Sequence, residues 1–172
     1  MANKRNKQEA LGQKRIVFND ETIVKNPTNF TSLLRYNSPI VFKDFGNGGT
    51  SSARFRGTSA SNTVVLWNGI NINSVGSGQT DFNSLSANTA DHIIIKSGGS
   101  SLQYGSGAIG GTVHLKDVLT FEPHKDHQFF TSYGSFNTTS NFFKSNYGLG
   151  KWAIKLSGVF NKSNNDYNYI DV

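Results

Sequence analysis

The 172-residue sequence has no cysteine, three prolines, one methionine and few charged residues, which make up 16% of the chain. Without cysteine it can form neither a disulfide framework nor a thiolate metal site. No apolar run approaches the roughly 20 residues that a membrane-spanning helix needs. Aromatic residues, in contrast, reach 12% and include 13 phenylalanines, so low charge is combined with an aromatic content that is high for a soluble globular domain.

The formal net charge of +6 is concentrated at the N-terminus, because residues 1–15 hold five basic residues and one acidic residue. A basic polar tail is usually just solvated, so this charge does not indicate a nucleic-acid partner. We expect residues 1–15 to form a disordered tail. They also lack the apolar core of a signal peptide. If this protein is exported, we therefore expect the present sequence to begin after the cleavage site or to have been shortened.

The most informative segment is the glycine-rich stretch from residue 93 to residue 116. Six glycines in this segment imply positive φ angles or backbone packed close to other atoms. Residues 105–110 match the G-x-G-x-x-G pattern of dinucleotide-binding loops, but that site requires a helix after the glycines. A β-branched alternating run follows instead, and Gly111 stands where a P-loop has its lysine. The sequence therefore disfavours a nucleotide site.

Residues 16–118 show the pattern of a small α+β domain. Asn26 and Pro27 resemble a helix start, and apolar residues at helical spacing predict a short helix that ends near Asn37. The strand at residues 64–67 runs into Asn68-Gly69, a dipeptide that is the strongest short hairpin signal. Apolar or alternating runs predict strands at residues 16–18, 40–42, 64–67, 70–72, 93–96 and 112–116.

Residues 119–172 have a different character. Residues 152–162 alternate with period two, and two earlier runs near 128–136 and 140–149 have similar length and aromatic content. Strands of roughly 9–11 residues with one apolar side suit a transmembrane β-barrel. They suit a soluble antiparallel meander with one solvated face equally well. From the residues alone, both interpretations remain open.

Three motifs together resemble the plug of TonB-dependent outer-membrane receptors, in the same order and with the same spacing. They are an R-G after a strand at Arg56-Gly57, a hairpin at residues 66–69, and a final G-x-x-S-x-x-Y-G-x-G-A-I-G-G strand pair. In this sequence the final element consists of Gly98, Ser101, Tyr104, Gly105, Gly107, Ala108, Ile109, Gly110 and Gly111. Residues 67–69 together with residues 78–82 look most similar to the cobalamin-receptor branch found in Bacteroidetes-type bacteria.

This resemblance implies an α+β fold: a small plug domain at residues 16–118 with a mixed β-sheet and short helices, then about three antiparallel strands of an incomplete β-barrel at residues 119–172. It implies a receptor, not an enzyme, in the outer membrane of a Gram-negative bacterium, with the N-terminus in the periplasm. The implied partners are the TonB inner-membrane complex and a large polar ligand, either cobalamin or a siderophore or other ferric chelate. No cofactor is expected. Because three strands cannot close a barrel, we expect the chain to be the N-terminal part of such a receptor.

The resemblance also assigns site residues. Ligand contacts are expected in two outward loops with small polar side chains, at Asn47, Gly48, Gly49, Ser51, Asn73, Ser74, Ser77 and Gln79. The structural motif comprises Arg56, Gly57, Asn68, Gly69, Tyr104, Gly105, Gly107, Gly110 and Gly111, and its glycines are expected to let plug backbone pack against the barrel wall. A candidate coupling segment is Glu21, Thr22, Ile23 and Val24, which the pattern equally allows as a loop and strand.

Other function classes have less support. The acidic residue and arginines that the family often carries before its Y-G motif are absent at residues 92–99, so an ionic latch is not expected there. A soluble periplasmic or secreted binding module, in which the late strands complete its own sheet, remains the alternative of another class. No nucleophile–base pair, carboxylate pair or metal set emerges for catalysis, and His124 and His127 lack partners for a metal site.

Overall fold

The computed structural model describes residues 14–25, 29–46, 49–55, 57–98 and 101–166. The chain separates into two compact units, Met1–Asp117 and Val118–Val172. The first contains a five-stranded mixed sheet, a two-stranded sheet and short helices, and the second contains a three-stranded antiparallel sheet. This architecture confirms the predicted α+β class followed by three strands. No helix among the described residues is long and apolar enough to cross a membrane.

The first unit is built on a five-stranded sheet with the order β1-β6-β7-β4-β5, in which β4 and β7 are parallel and the other neighbours antiparallel. Strands β2 and β3 form a separate antiparallel hairpin. In chain order the elements are β1 (Lys14–Phe18), α1 (Asp20–Val24), α2 (Phe30–Asn37), β2 (Ile40–Asp44), β3 (Ser51–Phe55), β4 (Thr63–Trp67), β5 (Ile70–Asn71), β6 (His92–Ser97), α3 (Ser101–Tyr104) and β7 (Gly111–Lys116).

The N-terminal part of the chain differs from the prediction at two places. Lys14 and Arg15 belong to β1, because they pair with Ser97 and Lys96 of β6, so the predicted disordered tail is wrong for these two residues. Residues 1–13 lie outside the described residues. The segment Glu21, Thr22, Ile23 and Val24 lies in helix α1, so its interpretation as a loop and strand is wrong.

Helix α2 begins later than predicted. Its N-cap is Asn29, whose side-chain oxygen accepts a hydrogen bond from the amide of Ser32 at 2.6 Å and so satisfies one free donor of the first turn. The predicted cap Asn26 lies outside the described residues. The helix ends at Asn37, as predicted.

A single large hydrophobic core fills one face of the sheet. Its centre is Phe82, which stacks on Phe30 with ring centroids 5.4 Å apart and meets the edge of Phe42 at 5.3 Å. Helix α2, the β2–β3 hairpin and the segment after β5 are thereby fixed to one another. The buried members are Phe18, Ile23, Phe30, Leu33, Leu34, Ile40, Ala53, Phe55, Val65, Phe82, Ala87, Ala90, Ile93, Ile95, Val113 and Leu115.

The second unit is an antiparallel sheet with the order β10-β9-β8, formed by β8 (His124–Gly134), β9 (Thr138–Gly148) and β10 (Ala153–Lys162). Its three strands confirm the three predicted alternating runs, although β8 begins earlier than the predicted residue 128. Phe136 lies in the connecting turn with φ 57°, and so does Asn137 with φ 55°. The prediction that the first run continues to residue 136 is therefore wrong.

Candidate functional site

An open cleft of about 720 Å³ lies between the β2–β3 hairpin and the loop that follows β5. Four predicted ligand-contact residues line it: Ser51, Ser74, Ser77 and Gln79. The fold therefore brings Ser51, from the first predicted segment, to the same cleft as three residues of the second. The described residues that line it are Lys43, Phe45, Thr50, Ser51, Ser52, Arg54, Gly57, Thr58, Ser59, Ala60, Ser74, Ser77, Gln79, Thr80 and Asp81.

The residues predicted on the first loop differ from one another in their positions. Ser51 is fully buried in strand β3, not in a loop. Its hydroxyl accepts a hydrogen bond from the Thr31 hydroxyl at 2.9 Å, and its amide donates to the Asp81 carboxylate at 2.8 Å. Gly49 does not line the cleft, and residues 47–48 lie outside the described residues. The side chain of Ser51 is thus part of the cleft's support.

Asn73 anchors the second loop to the sheet. Its side-chain amide donates to the carbonyl oxygens of Thr63 and Gly78, both at 2.8 Å, and its side-chain oxygen accepts from the amide of Val65 at 2.8 Å. These bonds tie the loop base to β4. The loop is closed above that base, because the amide of Ser74 donates to the carbonyl of Gln79 at 2.9 Å.

Asn83 is a supporting residue that the sequence interpretation missed. Its side-chain amide donates to the carbonyl of Gly49 at 2.9 Å and to the Asp44 carboxylate at 3.2 Å, and so holds the turn between β2 and β3. Its side-chain oxygen accepts from the Thr31 hydroxyl at 3.1 Å. The one local sequence signal for this role is Asp81, whose carboxylate accepts a hydrogen bond from the backbone amide of Asn83 at 3.0 Å in an Asx-turn.

A second cleft of about 460 Å³ borders the first. Its apolar side is formed by Trp67, Ile72 and Leu85. Its polar side consists of Ser84 and of four residues that also line the first cleft, namely Ser74, Gln79, Thr80 and Asp81. Residues 74–81 therefore form a wall between a polar cleft and an apolar one.

The glycine-rich motif packs against the first unit itself. A Cβ atom on Gly111 would lie 2.6 Å from the carbonyl oxygen of Lys96, and one on Gly110 would lie 2.5 Å from the Thr58 hydroxyl. The atoms that these two glycines approach belong to the same unit, and the expectation that the motif glycines pack against a barrel wall stays a prediction. At Gly105 the requirement for glycine comes from the backbone conformation, because φ is +84°. A Cβ atom on Gly107 would make only ordinary contacts.

The hairpin turn and the R-G motif also have conformational roles. Asn68 and Gly69 adopt φ 48° and 91°, the left-handed conformations that a tight two-residue turn requires. The side chain of Asn68 further accepts from the amide of Asp117 at 2.9 Å, which joins the turn to the end of β7. Gly57 has φ +80°, while Arg56 lies outside the described residues.

Tyr104 and His114 meet on the sheet face opposite the large core. Their ring centroids lie 5.1 Å apart in an edge-to-face contact, and the ring nitrogen Nε2 of His114 is hydrogen-bonded to the Thr112 hydroxyl at 2.9 Å. Burial, together with the smaller effects of the charges of Lys96, Lys116 and Arg15, lowers the pKa of His114 to about 4. His114 is therefore neutral at physiological pH.

The candidate coupling residues lie in a short helix. Ile23 is completely buried in the core, whereas Val24 is half exposed. The coupling role of Glu21, Thr22, Ile23 and Val24 stays a prediction. Within the described residues, no group of three or more His, Asp or Glu side chains could hold a metal ion.

Comparison with known proteins agrees with the cleft-bearing fold. The TonB-dependent Receptor Plug Domain model matches residues 7–112. The chain belongs to this family. Members of this family are receptor plugs, not enzymes, and the predicted receptor class and Gram-negative outer-membrane location are confirmed. The assignment to a Bacteroidetes-type branch stays a prediction.

Individual relatives extend the likeness beyond the plug. The chain is 32% identical over 121 residues to the Vitamin B12 transporter BtuB of Vibrio vulnificus, a match that covers 70% of this chain and 19% of that protein. It superimposes on the siderophore receptor PirA from Acinetobacter baumannii with a TM-score of 0.68 and 26% identity, over 95% of this chain and 26% of that one. The copper transporter OprC, with a TM-score of 0.69 and 18% identity over 87% of this chain and 23% of that one, shares the fold. The chain thus spans about a fifth to a quarter of these proteins.

Proposed function

We propose that this chain is the plug-containing part of an outer-membrane receptor for the energised uptake of cobalamin. The observation that carries this proposal is the 32% identity to a vitamin B12 transporter over 70% of the chain. The cleft supports it, because a volume of about 720 Å³ lined by small hydroxyl groups suits part of a large polar ligand.

In the proposed mechanism, the ligand contacts the exposed parts of the loop at residues 74–79. Asn73 holds this loop on β4, and β4 pairs with β7 near the end of the first unit. A ligand that packs against the loop therefore contacts a segment that is hydrogen-bonded directly to the central sheet. The cleft binds without chemical change, which is what a transport receptor requires.

The proposed partner is the TonB inner-membrane complex, which would act on the N-terminal part of the plug. Strand β1 lies at the edge of the sheet and is held by five residue pairs with β6. Helix α1 has five residues, of which Ile23 is buried. Such a short peripheral segment has low local stability, so a modest force could release it without unfolding the whole sheet.

A ferric siderophore or another ferric chelate is the second candidate ligand. The 26% identity to the siderophore receptor PirA over 95% of the chain favours it. The soluble binding module considered above is not proposed, because the plug-domain family match extends over residues 7–112.

The experiment that separates the two ligands is a binding competition on outer membranes from cells that produce the protein. We expect labelled cyanocobalamin to bind and to be displaced by unlabelled cyanocobalamin but not by ferric enterobactin. If instead labelled ferric enterobactin binds and cyanocobalamin does not displace it, the ferric chelate takes the place of cobalamin as the proposed ligand. Absence of binding by both would contradict the proposed uptake function.

A further inference from the structure

Two cations project into the cleft from neighbouring strands of the β2–β3 hairpin. Lys43 pairs with Ser52 and Arg54 pairs with Val41, so the two charged residues lie on the same face in diagonal positions. Both line the cleft. Diagonal positions on adjacent strands bring long side chains within reach of one another, and therefore within reach of one small group on a ligand.

The carboxylates near this pair are occupied elsewhere. Asp44 follows Lys43 directly, but alternation places it on the other face, where it accepts from Arg35 at 3.1 Å. Asp81 lines the cleft, yet its Oδ1 accepts hydrogen bonds from the backbone amides of Ser51 and Asn83. Among the described residues, neither Lys43 nor Arg54 forms an ion pair.

Arg54 also carries a buried donor without an acceptor. Its Nε atom is inaccessible to solvent and has no hydrogen-bond partner. Buried polar groups are nearly always hydrogen-bonded, because desolvation without a partner is costly. The Arg54 guanidinium thus has a donor that the described residues do not satisfy, and it shares its face with a second cation whose repulsion an anion bound between them would offset.

We propose that Lys43 and Arg54 form an anion-binding subsite in the cleft. It takes a negatively charged oxygen of the ligand: the phosphodiester of a cobalamin, or a carboxylate or catecholate oxygen of a ferric chelate. The guanidinium provides directed donors in a planar fork, while the ammonium, which lies 4.9 Å from the centroid of the Phe45 ring, adds a point charge. The proposal rests on the proposed uptake function and deepens it, because the two candidate ligands share this chemistry.

The first test measures binding to membranes that contain the wild-type protein, Arg54→Gln or Lys43→Gln, with Lys25→Gln as a matched loss of a surface cation outside the cleft. The probes are cyanocobalamin, ferric enterobactin and the cationic chelate ferrioxamine B. For whichever probe with an anionic oxygen group binds, cyanocobalamin or ferric enterobactin, we expect Kd to rise about tenfold in each cleft variant, as for loss of one charge-assisted hydrogen bond, and to be unchanged in Lys25→Gln. An unchanged Kd in both cleft variants, or a preference for ferrioxamine B, would overturn the subsite.

The second test needs no ligand and separates failure of the subsite from failure of the uptake function. Hydrogen exchange of peptides covering β2 and β3 is compared between the ligand-free wild-type protein and Arg54→Met, which keeps the apolar stem. If the role of Arg54 is to bind an anion, hydrogen exchange in Arg54→Met is as slow as in the wild type or slower, even if none of the probes binds. Faster exchange in Arg54→Met would show that the guanidinium stabilises the hairpin, and would overturn the proposal whatever the binding result.

Discussion

Gly111 and Lys96 pack backbone against backbone, so that a Cβ atom on Gly111 would lie 2.6 Å from the Lys96 carbonyl oxygen. The ring of Phe55 blocks the same space at 3.0 Å. Neither neighbour can move easily, because β6 and β7 are hydrogen-bonded along their length and Phe55 is fully buried. A residue without a side chain is required here by the plug's own interior.

We therefore expect Gly111→Ala to destabilise the first unit by about 1–3 kcal/mol, as for overpacking of a core. Gly107→Ala is the matched control, since the added Cβ would find its nearest atom at 3.5 Å, an ordinary contact. Urea unfolding followed by Trp67 fluorescence in a Trp152→Phe background measures both variants. Equal stability of the two variants would contradict the close-approach explanation.

Local patterns predicted the parts of the fold that depend on neighbouring residues. The turn at Asn68-Gly69 needs only residues that tolerate positive φ. The strand after the glycine motif follows from β-branched alternation, which is why the nucleotide interpretation could be rejected without a structure. The three late strands were likewise visible from their period, although the first run, predicted near residues 128–136, is the strand His124–Gly134.

The wrong predictions fall where the local structure depends on residues that are distant in the sequence. A polar run through Ser51 suggests a loop, but pairing with Asp44 makes it strand. Lys14 and Arg15 were assigned to a disordered tail because they are charged, yet they pair with β6 as part of an edge strand. Apart from the Asx-turn at Asp81, the support given by Asn83 has no local signature, and the cleft position of Arg54 has none, since both depend on the tertiary arrangement of the hairpin.

Removal of the Phe82 ring should detach the wall of the cleft from the core. Phe82→Ala deletes the contacts with Phe30 and Phe42 and leaves a cavity, so we expect a loss of about 3–5 kcal/mol in the free energy of unfolding. Phe82→Leu should cost less, because it fills part of the space. The same urea titration checks this order, and an alanine variant as stable as the leucine variant would contradict it.

Asn73 and Ser77 were both predicted to contact ligand, but the structure gives them separable roles. Asn73→Ala removes three hydrogen bonds of 2.8 Å that anchor the loop, so we expect it to lower stability by about 1–3 kcal/mol and to weaken ligand binding indirectly. Ser77→Ala should leave stability within about 0.5 kcal/mol of wild type, as for a surface substitution. Unfolding and ligand-binding measurements on the two variants would count against this division if Ser77→Ala proved the more destabilising.

His114 predicts a pH dependence of the first unit. Its pKa is about 4 in the folded protein, lowered first by burial and then by Lys96, Lys116 and Arg15, against an ordinary value of about 6.5 in the unfolded chain. The unfolded chain therefore takes up the proton first as the pH falls. Stability from this group is complete above pH 6.5 and is lost progressively towards pH 4, by about 3 kcal/mol in total.

His114→Gln should remove this contribution, because the amide can still meet the Thr112 hydroxyl but does not titrate in this range. The check is the free energy of unfolding at several pH values from 7.5 to 4. The wild-type curve should fall more steeply than the variant curve below pH 6.5. Parallel curves would show that His114 is not the group responsible.

The central claim, that ligand occupies the cleft between the hairpin and the loop at residues 74–79, is tested most directly by protection of a single thiol. The chain has no cysteine, so Ser77→Cys introduces one unique target in the described part of the cleft, and Lys25→Cys provides an exposed control outside it. Maleimide labelling is followed in outer membranes with and without saturating cyanocobalamin or ferric enterobactin. We predict that the ligand that binds slows labelling of Ser77→Cys at least tenfold and leaves Lys25→Cys unchanged. Bound ligand with equal labelling of Ser77→Cys in its presence and absence would contradict the claim.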